Sequence, residues 1–177
     1  GSAAPTAAAT SAAAIAPASD FSFSCCCCWL ADRSSSALAL AASALALGGA
    51  SHRLTPESAT KVQADLGADI QMVLDVCPAL PAPRVVVREA MERTAAWAVR
   101  GRQAFLDHPS AAGRQSQFGI IQGGADPALR AESAERTVQI GFDGYAIGGL
   151  SVGETRPEML DALDGVTDLF PRDQPRY

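Results

Sequence analysis

Three short apolar runs end in residues able to make directional polar contacts. These are Asp75 with Cys77, Gln122 with Gly123-Gly124, and Gly148-Gly149 before Leu150. An ionised carboxylate only accepts hydrogen bonds, whereas a glutamine amide both donates and accepts. Glycine lets a flat ligand come close to the backbone. One edge that suits the set is that of guanine, with two neighbouring donors (N1–H and the 2-amino group) beside the O6 acceptor. Asp75 would accept from the donors, while Gln122 and the Gly149 N–H would donate to O6. Simpler roles fit the same residues: an Asp closing a strand caps the next helix, and Gly-Gly makes a turn. Loops of this kind host many chemistries.

For these endings to meet, the runs must be neighbouring strands, with helices returning the chain between them. Asp75, Gln122 and Gly149 stand 47 and 27 residues apart, workable for βα units of roughly 30 residues or more. The strands are expected over 69–75, 118–122 and 145–149. Thr55-Pro56-Glu57 starts a helix, with Thr as N-cap and Pro at the first helical position. Its apolar stripe reads as Ala59, Val62 and Leu66, ending at Gly67. After a Pro-rich turn, residues 84–106 read as a long helix. Val87, Met91, Thr94, Ala95 and Ala98 form its apolar face, and Glu89 and Arg93 form an i,i+4 pair. Asp126-Pro127 caps a helix on Leu129, Ser133, Thr137 and Ile140, and 157–170 is amphipathic on Leu160, Leu163 and Val166. A fourth strand begins at Arg176-Tyr177. Alternating strands and helices argue for an α/β fold with a parallel sheet. In such folds ligands bind at the carboxyl ends of the strands. Asp69 and Asp143 precede their strands, so they belong to the opposite end.

The composition divides at residue 50. Of the first 50 residues, 27 are Ala or Ser, and Asp20, Asp32 and Arg33 are the only charges. Residues 1–50 are therefore expected to be a low-complexity extension, and 51–177 the folded unit. The Ala/Leu run at 37–47 has the apolarity of a targeting segment. It lacks a basic start and begins well inside the chain, so a disordered tail or a faulty upstream reading frame is the preferred reading. Four adjacent cysteines at 25–28 do not have the spacing of a zinc site; palmitoylation beside an apolar run is the alternative. The chain opens on Gly-Ser rather than Met, as a processed or partial chain would. Net charge is −5, which argues against a broad basic surface but leaves room for a local patch. No run of about 20 apolar residues offers a membrane span. The expected location is the cytoplasm.

Five segments carry a resemblance to a known family. They are Ser51-His-Arg-Leu-Thr-Pro-Glu57, Gly67-Ala-Asp-Ile-Gln-Met-Val-Leu-Asp-Val-Cys77, Met91-Glu-Arg-Thr-Ala-Ala-Trp-Ala98, Phe118-Gly-Ile-Ile-Gln-Gly-Gly124 and Ile140-Gly-Phe-Asp-Gly-Tyr-Ala-Ile-Gly-Gly-Leu-Ser-Val-Gly-Glu154. In order, they resemble bacterial tRNA-guanine transglycosylase, as does the stretch 171–177. The likeness covers essentially all of 51–177 and none of 1–50. It implies about three βα units of a TIM (β/α)8 barrel. It also implies a pentosyltransferase that exchanges the wobble guanine of tRNA for a 7-deazaguanine, in the queuosine pathway. By this resemblance Asp75 and Gln122 read the base, the Gly149 N–H meets O6, and the Leu150 carbonyl meets the substituent of the incoming base. Cys77 and Val152 match members that take 7-aminomethyl-7-deazaguanine, and Glu154 matches a glutamate beside that substituent. The implied partners are tRNA and the free base, with a homo- or heterodimer.

The resemblance also implies parts that this sequence does not supply. The family's Asp nucleophile attacks the ribose C1′ and lies beyond the stretch that Tyr177 matches. Its zinc ligands, three cysteines and a histidine, lie later still. An Asp-Ser-Gly-Gly-aromatic motif would precede His52, where this chain is Ala-rich. Neither His52 nor His108 has cysteines spaced around it for zinc. No catalytic or metal residue is therefore assigned, no cofactor is expected, and the chain alone is expected to be inactive and poorly stable. A non-catalytic partner subunit of a transglycosylase heterodimer is the alternative.

Overall fold

The computed structural model describes residues 43–47, 50–109, 111 and 113–177. The expectations for residues 1–42, the cysteines at 25–28 among them, lie outside the described residues, whereas 43–47 of the expected low-complexity extension form a strand. Strands β1 (Ser43–Leu47) and β2 (Ala50–Leu54) pair antiparallel. Helix α1 (Pro56–Asp65), β3 (Ile70–Met72), α2 (Arg84–Asp107), β4 (Ser116–Ile121), α3 (Pro127–Ile140), β5 (Gly144–Ile147) and α4 (Arg156–Thr167) follow. The last three strands form a parallel sheet in the order β3-β4-β5, so the chain makes successive βα units. Beyond β5 the chain end starts another parallel neighbour. Tyr177 N donates to Tyr145 O at 2.9 Å, and Ile147 N donates to Tyr177 O at 2.8 Å.

Glycine placed opposite aromatic rings sets the packing of β4 on β5. Phe118 pairs with Gly144, and Gly119 with Tyr145. A Cβ on Gly144 would sit 2.4 Å from the Phe118 ring, and one on Gly119 would sit 2.5 Å from Phe142. Each ring thus occupies the volume that its neighbour's missing side chain leaves. Phe142 meets Tyr145 edge-on, and Tyr145 stacks on Phe170 at 5.2 Å. Around them Val73, Ala98, Ile120, Ile121, Ala134 and Val166 close the core between sheet and helices.

The helix starts follow the sequence. Thr55 and Ser58 form a capping box on α1, and the Asp126 carboxylate accepts from Ala128 N and Leu129 N, both at 3.0 Å. The expected faces of α2 and α3 are those that turn inward. Three expectations need correction. Helix α1 buries Pro56, Thr60 and Ala64, while Val62 is 49% and Leu66 79% exposed. The reason is close helix approach: Thr60 Oγ1 donates to Gly101 O on α2, so the buried face is the one with small residues. Helix α4 likewise buries Ala162 and Val166, leaving Leu160 exposed. On α2 the i,i+4 pair forms one position earlier than expected, between Arg88 and Glu92 at 3.4 Å, and Arg88 also reaches Glu132 on α3 at 3.1 Å. That second acceptor draws the pairing to the α3 side.

Candidate functional site

The carboxyl ends of β3, β4 and β5 bring the predicted residues together. Val73, Leu74 and Asp75 follow β3 and are buried, and Gln122 follows directly on β4. Gln122 Nε2 donates to Asp75 Oδ2 at 2.7 Å across 47 residues of sequence. Both side chains are buried, and Asp75 Oδ1 and Gln122 Oε1 have no partner among the described residues. Two unmatched buried acceptors side by side are costly, and a ligand presenting donors would satisfy them. One N–H of the Gln122 amide is used on Asp75, and the second remains for a ligand acceptor.

Gly148 and Gly149 let this pair approach the next strand end. A Cβ on Gly148 would lie 2.7 Å from Gln122 Nε2, and one on Gly149 would lie 2.6 Å from Gln122 Oε1. Gly149 also has φ +70, in the left-handed region that glycine enters without steric cost. Leu150 and Cys77 are half-buried on the flanking loops. The Glu154 carboxylate accepts from Ser151 N and, at 2.9 Å, from Val152 N. Burial opposes its charge, but these N–H groups and the Arg130 charge hold its pKa below the usual range. Leu80 N donates to Val152 O at 2.8 Å, tying the loop after β3 to the loop after β5.

Burial pushes the Asp75 carboxyl up to about 6, against the lowering by its bond from Gln122. The group therefore titrates near neutrality, as expected of a carboxyl taken from water without a cation beside it.

Three residues that position the site were not singled out from the sequence for this. Thr94 Oγ1 on α2 accepts from Val76 N at 2.9 Å, and Ser133 Oγ on α3 accepts from Gln122 N at 3.0 Å. Both hydroxyls lie on faces that the helical spacing reads as apolar. They satisfy the backbone donors where the strand ladder stops. The third is Arg130, fully buried, which donates to the carbonyls of Gly124, Gly148 and Gly149. Its sequence signal was the spacing Arg130, Ser133, Ala134, Thr137, the i, i+3, i+4, i+7 pattern of a buried face.

Asp69 and Asp143 lie at the amino ends of their strands, away from this cluster. The Asp143 carboxylate pairs with Arg102 at 2.9 Å and accepts from Gln117 N at 2.8 Å. Among the described residues no group of three or more His, Cys, Asp or Glu is placed to share a metal ion. His108 lies 3.9 Å from Asp65, near the start of β3. The described residues therefore do not fit the zinc site that the resemblance implies. No described helix is long and apolar enough to cross a membrane.

The family profile described as queuine tRNA-ribosyltransferase matches residues 39–177. The queuine tRNA-ribosyltransferase of Gluconacetobacter diazotrophicus is 50% identical over 129 residues, 73% of this chain and 32% of that protein. That of Ruegeria pomeroyi is 48% identical over 129 residues, 73% of this chain and 33% of that protein. That of Koribacter versatilis is 47% identical over 139 residues, 74% of this chain and 36% of that protein. The chain spans about a third of the length of these relatives. With its profile match running from residue 39 to Tyr177, it belongs to the queuine tRNA-ribosyltransferase family.

Proposed function

We propose that the loops after β3, β4 and β5 form the base-reading part of a tRNA-guanine transglycosylase site, within a (β/α)8 barrel of which 51–177 contributes about three units. The ligand is guanine, as the wobble base of a tRNA, or the 7-aminomethyl-7-deazaguanine that replaces it. The observation that carries this reading is the buried Asp75–Gln122 pair, in which Asp75 Oδ1 is an unmatched acceptor and Gln122 spends only one N–H on Asp75. Asp75 Oδ1 accepts from N1–H and the 2-amino group. The second Gln122 N–H and the Gly149 N–H donate to O6. The Leu150 carbonyl and the Cys77 side of the cleft face the 7-substituent, and Glu154 orders the loop beside it. These residues bind and orient a base; no nucleophile is assigned among them. The proposed location is the cytoplasm.

Calorimetric titration with guanine and with 7-aminomethyl-7-deazaguanine tests this. The parent chain should bind both, hypoxanthine (which lacks the 2-amino group) more weakly, and Asp75→Ala neither. Equal binding by Asp75→Ala would remove the assignment.

A further inference from the structure

We infer that Arg130 is a positioning residue for this site, clamping the Gly123-Gly124 and Gly148-Gly149 loops together so that the Gly149 N–H faces the base. The inference rests on the reading that Gly149 meets a base. Arg130 lies in the first turns of α3 and is 0% exposed. Its bonds go to backbone carbonyls. Nε donates to Gly124 O at 2.5 Å, Nη1 and Nη2 to Gly148 O at 3.1 and 3.2 Å, and Nη2 to Gly149 O at 3.2 Å. One planar group thus joins the loop after β4 to the loop after β5.

The bonds also decide where the next N–H groups point. In a trans peptide the N–H is directed opposite to its C=O. Because the Gly148 carbonyl turns to Arg130, the Gly149 N–H turns away from it. The same holds for the Gly149 carbonyl and the Leu150 N–H. Neither N–H donates to any described residue, so both remain for a ligand. The same turn of α3 presses on the other loop: a Cβ on Gly123 would lie 2.7 Å from Arg130 N.

A residue filling space alone would not need a charge here. Burial lowers the Arg130 pKa to about 10, so the group stays cationic at neutral pH and its desolvation must be offset by good bonds. A guanidinium presents five donors in a fixed fork, whereas a lysine ammonium is a single flexible point charge. Arg130→Lys therefore keeps the charge but not the three-carbonyl geometry.

The test uses the full chain, ¹⁵N-labelled, as parent, Arg130→Lys and Arg130→Gln. Backbone order is read at Gly148, Gly149 and Leu150 against Ile120 and Ala146 in the strands. In both variants the loop amides should fall from rigid order parameters near 0.85 to below about 0.6, while the strand amides hold. Guanine affinity should fall by about tenfold or more, the size of losing a well-aimed hydrogen bond. Loop amides as ordered as in the parent would overturn the inference. So would unchanged guanine affinity in a folded variant whose parent binds, or equal loss of order in loops and strands, which would mark a general structural role. If Arg130→Gln does not fold, Arg130→Lys carries the comparison. If the parent binds no guanine, the proposed function falls, and the loop-order arm still decides whether Arg130 clamps the loops.

Discussion

Replacing Asp75 by Asn separates what the proposed site costs from what it does. The residue is 3% exposed, with Oδ2 bonded to Gln122 and Oδ1 unmatched. Burial raises its pKa from 3.8 to about 6. At about 1.36 kcal/mol per unit, ionised Asp75 lowers folding stability by about 3 kcal/mol at neutral pH. The sign follows from proton binding. The folded chain holds this proton more tightly than the unfolded chain does. The stabilisation from the protonated group is therefore complete below about pH 3.8 and is lost as pH rises through about 6. Asparagine has the same shape, keeps an oxygen for Gln122 and carries no charge. Asp75→Asn should be more stable than the parent by about 1–3 kcal/mol at pH 8, with the difference shrinking toward zero near pH 4. Urea melts of both chains from pH 4 to 8, compared at constant m, give the difference directly. A variant no more stable than the parent at pH 8, or a gap that does not change with pH, would refute the buried-carboxylate reasoning. The same variant should lose guanine binding, because an amide nitrogen then stands where an acceptor is needed. Gaining stability while losing function is the pattern expected of a site residue.

Two further substitutions test the framework around the site. Ser133→Ala leaves the buried Gln122 N–H without its 3.0 Å acceptor and should cost about 1–3 kcal/mol in urea melts; an unchanged midpoint would mean that water or a shifted backbone satisfies the group. Gly119→Ala places a methyl 2.5 Å from the Phe142 ring. It should lower stability by about 1–3 kcal/mol through overpacking, and a thermal melt matching the parent would contradict the proposed complementarity of β4 and β5.

The elements were legible where the signal is local. The Thr55 and Asp126 caps act on N–H groups two or three residues away, so the sequence contains both partners. The faces of α2 and α3 were legible because their small and apolar residues repeat at helical spacing. On helix α1 hydropathy points to the outer face, because burial there follows close approach to Gly101 and the larger Val62 and Leu66 face outward. Hydropathy ranks side chains by size and polarity. It does not register that Thr60 meets Gly101 or that Ala64 packs with Phe105 and Ala111. Thr94 and Ser133 fall on the buried faces by their spacing, but only the strand ends show which N–H each hydroxyl meets.

The sequence by itself determined the caps, the alternation of strands and helices, the strand ends with polar or glycine residues, and the family. Each follows from residue type and short-range spacing, or from matching motifs in order. Tertiary structure alone decided that Gln122 would spend one N–H on Asp75, that each would keep an unmatched acceptor, and that Arg130 would bridge two glycine loops. These contacts join residues 47, 6 and 19 positions apart. Their geometry depends on the parallel register of β3, β4 and β5 and on where α3 rests against the sheet. No local propensity encodes that placement; the packing of Phe118, Phe142 and Tyr145 around two glycines does.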